Sequence, residues 1–123
     1  MFRAVRASSA PERINEVMAK HTVIVQFKNE NDSVDIDWFY DLHEVLHELL
    51  KRNKFGRVDG SDFGNGTINL YILTNSLRRT LDLILMNLTL YKLEGNAVIV
   101  RRRGDDHYIV LWPPDFAEEF SEM

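Results

Sequence analysis

The residues best suited by type and spacing to do chemistry are two histidines and a glutamate in His43-Glu44-Val45-Leu46-His47, which matches the pattern HExxH. On a helix this spacing puts both imidazoles on one face to bind zinc, with the glutamate placed to activate the metal-bound water. However, Asp41 and Glu48 are charged where zinc peptidases are usually uncharged, and no third ligand follows at the usual short downstream spacings. We therefore predict a protein without catalytic residues, metal or cofactor, and keep a zinc hydrolase as an alternative.

Two other stretches could be taken for phosphate-binding segments, namely the glycine-rich residues 60–66 and the arginines at 101–103. The glycine-rich stretch has no lysine, and Asp59 and Asp62 would repel a phosphate. The three arginines are followed by Asp105 and Asp106, and the formal net charge of the chain is -4. Nucleic-acid binding needs a basic face, so this balance favours a basic protein as partner over DNA or RNA.

The composition indicates one globular domain. The chain has 123 residues, of which 45% are hydrophobic and 28% charged. It has no cysteine, which excludes disulfides and thiolate chemistry and fits a reducing cytosol. The first residues are too polar for a signal peptide, and no apolar run is long enough to span a membrane. We expect a cytoplasmic protein that does not bind membranes.

Hydrophobic periodicity predicts the order of the elements. A capping box at residues 9–12 begins a short helix at 11–20, and Asp35 is a good N-cap for the next helix. The predicted strands are 21–28, 55–59, 67–74, 97–103 and 107–112, and the other predicted helices are 35–53 and 76–93. This order predicts an α+β fold with a ferredoxin-like βαββαβ antiparallel sheet, an extra C-terminal strand and a short N-terminal helix. The chain is divided into an N-terminal arm and helix (1–20), the ferredoxin-like domain (21–112) and an acidic tail (113–123).

The predicted helix at 76–93 should be stopped by Gly95 as a left-handed residue. It carries more apolar surface than packing against one face of a sheet can bury. One stripe should pack on the sheet, and it consists of Leu77, Leu81, Ile84, Leu85, Leu88 and Tyr91. A second stripe lies on roughly the opposite side and consists of Leu83, Met86, Leu90 and Leu93. The 11–20 helix, the tail phenylalanines or a second chain could cover it.

The face of the sheet turned away from the helices also carries large apolar and aromatic side chains. By alternation it should contain Ile24, Tyr71, Leu73, Tyr108, Val110 and Trp112. Either the N-terminal helix or the tail, with Phe116 and Phe120, covers this face, or it forms an interface with a partner or a second copy.

Three stretches, HTVIVQF (21–27), FGRVDGSDFGNGTINLYILTN (55–75) and AVIVRRRGD (97–105), resemble a group of small uncharacterised bacterial proteins. Compact acidic α+β proteins of similar kind occur as immunity proteins that neutralise bacterial toxins. The resemblance therefore implies an immunity-type role without supplying catalytic residues.

From charge and resemblance together we expect a non-catalytic protein-binding domain that blocks a toxin, and the net charge of -4 favours a basic one. Acidic side chains would steer the encounter and aromatic side chains would anchor it. The expected partner-binding residues are Asp59, Asp62, Asp105 and Asp106, with Tyr71, Tyr108 and Trp112 as anchors. A small-molecule-sensing regulatory homodimer is a further alternative.

Overall fold

In the computed structural model of the chain, residues 21–28, 37–64, 66–104, 107–116 and 118–122 are described. The strands are β1 (His21–Lys28), β2 (Gly56–Gly64), β3 (Thr67–Thr74), β4 (Ala97–Arg102) and β5 (Tyr108–Trp112). The helices are α1 (Asp37–Arg52) and α2 (Leu77–Leu90), and a short 3-10 turn at Glu94–Asn96 precedes β4. The predicted helix at 11–20, the predicted N-cap Asp35, and Asp105 and Asp106 lie outside the described residues.

The five strands form one antiparallel sheet in the order β2-β3-β1-β4-β5. The predicted α+β class is therefore confirmed. β1 lies at the centre between β3 and β4, and its β-branched residues are buried on both faces, whereas the shorter β5 lies at an edge.

The core lies between the two helices and one face of the sheet. Its fully buried members on α1 are Phe39, Leu42, Leu46 and Leu50, and those on α2 are Ile84 and Leu88. They pack against alternate residues of the strands, including Val25, Phe27, Leu70, Ile72 and Ile99. Each such side chain contributes roughly 1.5–3 kcal/mol by leaving water.

Most of the apolar surface of helix α2 is covered in the structure. Its first stripe packs on the core as predicted. Leu83 and Leu93 of the second stripe also contact the core, so only Met86 and Leu90 remain exposed, at 55% and 71%.

Strand β2 is longer than predicted. We expected a strand ending at Asp59, but β2 continues to Gly64 and pairs with β3 as far as Thr67. A register shift between Val58 and Gly60 accommodates Asp59 as a bulge, which lets both halves of the strand stay paired.

Both helices end in the same way, and not at a glycine. Lys54 and Lys92 have positive φ values of 61° and 59°. After α2, Leu93 N–H donates to Leu88 O at 2.8 Å and Lys92 N–H to Thr89 O at 3.1 Å, which is a Schellman motif. The prediction that Gly95 ends this helix was wrong, because Lys92 takes the left-handed position three residues earlier. None of the helices in the described ranges has both the length and the apolar character needed to cross a membrane.

Candidate functional site

The C-terminal tail (described residues 113–116 and 118–122) lies across the sheet face opposite the helices. Ile24 and Val100 pair with each other at the centre of that face and are fully buried, although they are not part of the core under the helices. The tail contacts the strands around them, with Phe120 against Tyr108 at 4.9 Å between ring centroids. The tail, one of the two covers proposed from the sequence, therefore lies on this face, whereas the predicted helix at 11–20 is outside the described residues.

Two side-chain amides bind the backbone of the tail. The sheet register places Gln26 of β1 and Asp62 of β2 on either side of Asn69 of β3. Gln26 Nε2 donates to Asn69 Oδ1 at 3.0 Å, and Asn69 Nδ2 donates to Asp62 Oδ1 at 3.0 Å. The same two nitrogens donate to Ser121 O and Glu122 O of the tail, both at 2.7 Å. Each amide thus uses one hydrogen within the sheet and one on the tail.

The carboxylate of Glu122 is held by three side chains from three different strands, which we call the carboxylate clasp: Tyr71 of β3, Arg102 of β4 and Tyr108 of β5. Tyr71 donates to Oε1 at 2.9 Å, Arg102 Nη2 donates to Oε2 at 2.9 Å, and the Tyr108 hydroxyl also donates to Oε2. Charge-assisted hydrogen bonds of this kind are about twice as strong as neutral ones. The clasp therefore fixes the end of the tail.

The clasp changes the proton affinities of its members. Burial alone would raise the pKa of Glu122, but the hydrogen bonds from Tyr108, Arg102 and Tyr71 hold this pKa below its usual value of 4.5. The pKa of Tyr71 is raised far above its usual value by burial and by its hydrogen bonds to Asp62 and Glu122. At neutral pH, the bound form is therefore a carboxylate held by protonated donors.

Tyr71 lies between two carboxylates. Its hydroxyl oxygen is 2.9 Å from Asp62 Oδ2 and 2.9 Å from Glu122 Oε1. A tyrosine has a single hydroxyl hydrogen, so it can donate to only one of two ionised carboxylates at a time. The other carboxylate then faces the lone pairs of Tyr71, and this weakens the clasp.

A cavity of about 370 Å³ lies between the other part of the tail and the ends of β1 and β4. Its lining mixes polar and aromatic side chains and includes Gln26, Lys28, Asn96, Phe116 and Phe120. The tail therefore bridges the sheet without filling all the space under it.

The predicted partner-binding residues are only partly brought together. Asp62, Tyr71 and Tyr108 meet around Glu122, whereas Asp59 lies in the β2 bulge and pairs with Arg57 at 3.0 Å. Asp105 and Asp106 lie outside the described residues.

Trp112 does not lie beside Tyr108 on the sheet face opposite the helices, where we expected it. A register shift between Ile99 and Val100 makes Trp112 the partner of Ile99, and its side chain packs against the core under the helices. Its indole Nε1 is buried and has no hydrogen-bond partner among the described residues.

Sequence reasoning missed four members of the site, namely Gln26, Asn69, Arg102 and Glu122. Two of them could have been found from the sequence. Gln26 and Asn69 are each a polar residue within an otherwise largely apolar strand, on the sheet face turned away from the helices. An amide at such a position needs a hydrogen-bonding partner if it is buried, and Asn69 is 1% exposed.

The two histidines of the HExxH pattern on α1 contact neighbouring residues, whereas Glu44 is exposed. His47 Nδ1 accepts a hydrogen bond from Val58 N–H at 3.3 Å, and His43 lies against the ring of Phe39. Burial, assisted by the charge of Lys51, lowers the pKa of His47, so this imidazole is neutral at pH 7. Within the described residues no group of three or more His, Cys, Asp or Glu side chains could hold a metal ion.

A scan against protein-family models finds no match, and neither the curated proteins nor the solved structures give a significant match. The sheet face and the tail that covers it are therefore the observations from which a function can be inferred.

Proposed function

We propose that this chain is a non-catalytic protein-binding domain with a ferredoxin-like fold. Four of its strands follow the order β2-β3-β1-β4, with α1 after β1 and α2 after β3, and this order supports the ferredoxin-like topology. β5 extends the sheet beside β4.

The observation that carries the proposal is the acidic surface created by the docked tail. The tail contains Asp115, Glu118, Glu119 and Glu122 and no basic residue. Glu118 and Glu119 are exposed, and docking brings them to the same sheet face as the exposed Asp62. A surface of one charge sign accelerates and orients the approach of a partner of the opposite sign. The partner proposed here is accordingly a basic protein.

The specific role we propose is that of an immunity-type protein in a bacterial cytoplasm, which neutralises a basic toxin by covering its functional surface. Asp59 and Asp62, with Asp105 and Asp106, act together with the tail acids. Trp112 is half-buried against the core, and Tyr71 and Tyr108 are engaged by Glu122. The proposed role of the two tyrosines is therefore to hold the acidic tail in place.

Co-expression with the product of the neighbouring gene tests the immunity role. If that product inhibits growth, we expect this chain to relieve the inhibition and to form a complex whose affinity falls with increasing salt. A neighbouring product that is not toxic, or a toxin that is neither bound nor neutralised by this chain, would contradict the role.

Charge reversal tests the surface itself. We expect the double variant Glu118→Lys/Glu119→Lys to bind the basic partner more than about tenfold more weakly, because both residues then repel it. The matched control Glu44→Lys/Asp82→Lys makes the same change in net charge at exposed positions on the two helices. Equal losses in both variants would mean that only net charge matters, and the tail surface would then have no special role.

Metal analysis and light scattering test the two alternatives drawn from the sequence. Stoichiometric zinc in the purified protein, lost in a His43→Ala variant, would replace the binding role by that of a zinc hydrolase. A monomer in light scattering at all concentrations would exclude the regulatory homodimer.

A further inference from the structure

We propose that the sheet face beneath the tail is a peptide-binding site for a partner protein's acidic segment, in which a glutamate stands two residues after an aromatic residue. The tail, with Phe120 and Glu122, is the resident occupant of this site. The inference concerns the face under the tail, whereas the proposed basic partner would bind the outer surface of the docked tail, so neither depends on the other.

The clasp is built by the sheet and not by the tail. Arg102 of β4 and Tyr108 of β5 are directly opposite each other in the strand register. The Arg102 guanidinium also lies 5.6 Å from the centroid of the Tyr71 ring, which holds it over β3. Strand pairing within one sheet fixes the backbone at all three donors independently of the tail, so the site is preorganised for another carboxylate.

Glu122 does not use the whole clasp. It accepts a hydrogen bond from Arg102 Nη2, but Arg102 Nε is buried and has no partner among the described residues. The Nε and Nη2 hydrogens of arginine together form a fork that matches both oxygens of a carboxylate. A carboxylate that reaches both nitrogens therefore gains a hydrogen bond that Glu122 does not make.

The remaining contacts define what kind of segment fits. Gln26 and Asn69 bind only backbone carbonyl oxygens of the tail, so they recognise an extended peptide of any sequence. The side-chain requirements come from the clasp, which takes a carboxylate, and from Tyr108, which takes an aromatic ring two residues earlier. A protein segment supplies the backbone and both side chains together, whereas a free carboxylate supplies only one of the three.

A partner segment can bind this face only by displacing the tail. Among its described residues it forms no strand or helix and is held largely by side-chain contacts, which places it among the segments that open most easily. However, it competes at the effective concentration of a short tether, on the order of millimolar. A partner segment therefore gains apparent affinity whenever docking of the tail is weakened.

The test uses full-length protein and a fluorescein-labelled peptide of the tail sequence, PPDFAEEFSEM, added in trans. We expect the Glu122→Ala chain to bind the peptide at least about fivefold more tightly than the wild-type chain, because its resident competitor has lost the clasp contacts. The Asp82→Ala chain is the matched control, since it loses one exposed carboxylate on α2, outside both the tail and the clasp. It should bind the peptide like the wild type.

Two further variants test whether the peptide occupies the clasp. Replacing the peptide glutamate that corresponds to Glu122 by alanine should abolish most of its binding to the Glu122→Ala chain. Adding Tyr71→Phe to that chain, which removes only a hydroxyl group, should weaken binding several-fold while circular dichroism shows an unchanged fold. Equal peptide affinity for the wild-type and Glu122→Ala chains, or indifference to the peptide glutamate, would overturn the proposal. So would concentration-dependent dimers of the chain alone that disappear in Glu122→Ala, since a second copy's tail would then be the occupant.

Discussion

Replacing Asp62 by asparagine should strengthen docking of the tail, although it removes an acid that contacts the site. In the wild type, Tyr71 has one hydrogen for the carboxylates of Asp62 and Glu122, both at 2.9 Å. With asparagine at position 62, the side-chain amide nitrogen can donate to the Tyr71 oxygen, and the Tyr71 hydrogen is then free for Glu122. The asparagine oxygen can still accept from Asn69, so every polar group has a partner.

The expected gain can be worked out from the same distances. The recovered hydrogen bond is worth about 1 kcal/mol. The two carboxylate oxygens lie at most twice 2.9 Å apart. At about 6 Å two unit charges repel by roughly 0.7 kcal/mol in water and by about 3 kcal/mol at an effective dielectric constant of ~20. Asp62 is exposed, so the lower figure applies, and the weaker neutral acceptor for Asn69 offsets part of it. The net strengthening of docking is about 1 kcal/mol.

Trimming by a carboxypeptidase under native conditions measures this docking equilibrium. Removal of residues back to Phe120, followed by mass spectrometry, requires the tail to leave the sheet, and its rate follows the population of the undocked tail. About 1 kcal/mol corresponds to a roughly fivefold slower removal in Asp62→Asn than in the wild type. The substitution lies outside the digested segment, so the cleaved sequence is unchanged.

Asp59→Asn is the matched control for this experiment. It removes the same charge from the same strand, but Asp59 pairs with Arg57 and not with Tyr71. It should trim at about the wild-type rate. Faster trimming of Asp62→Asn, or equal slowing in both variants, would refute the reasoning that one tyrosine hydrogen limits the clasp.

The remaining predictions concern the clasp charge, the helix ends and one close backbone approach. The pKa of Glu122 is lowered in the folded state, so its contribution to stability is present above pH 4.5 and lost as the pH falls below it. The wild type should therefore have a higher Tm than Glu122→Gln at pH 7, and the difference should shrink as the pH falls below 4.5. A constant difference would show that the charge is not involved. Lys54→Gly and Lys92→Gly should each stabilise the fold by about 0.5–1 kcal/mol in urea unfolding, because both positions have positive φ. A loss of stability would mean that the lysine side chains make compensating contacts. Gly56→Ala should destabilise the fold by more than about 3 kcal/mol, because its Cβ would lie 1.9 Å from Leu73 O. Near-wild-type stability would show that β2 can move away from β3.

The sequence by itself determined the elements whose signal is local. Alternation predicted β1 and β3 with the bounds that the structure has, and helical periodicity predicted both described helices to within three residues at either end. These patterns follow from which side chains must leave water, and each is contained within one element. The strand end at Asp59 was mispredicted because β2 stays paired with β3 beyond its bulge, and the helix end at Gly95 was mispredicted because Lys92 takes the left-handed position earlier.

Only the tertiary structure decided the site. The register between strands brings Gln26, Asn69 and Asp62 into one row, although they are far apart in the chain. The same registers carry Tyr71, Arg102 and Tyr108 to a common point, and the path of the tail returns Glu122 to it from 51 residues beyond Tyr71. A one-residue shift in the pairing of β5 is enough to turn Trp112 away from that face. Strand register and tail docking depend on contacts between distant residues, and no local pattern in this sequence encodes them.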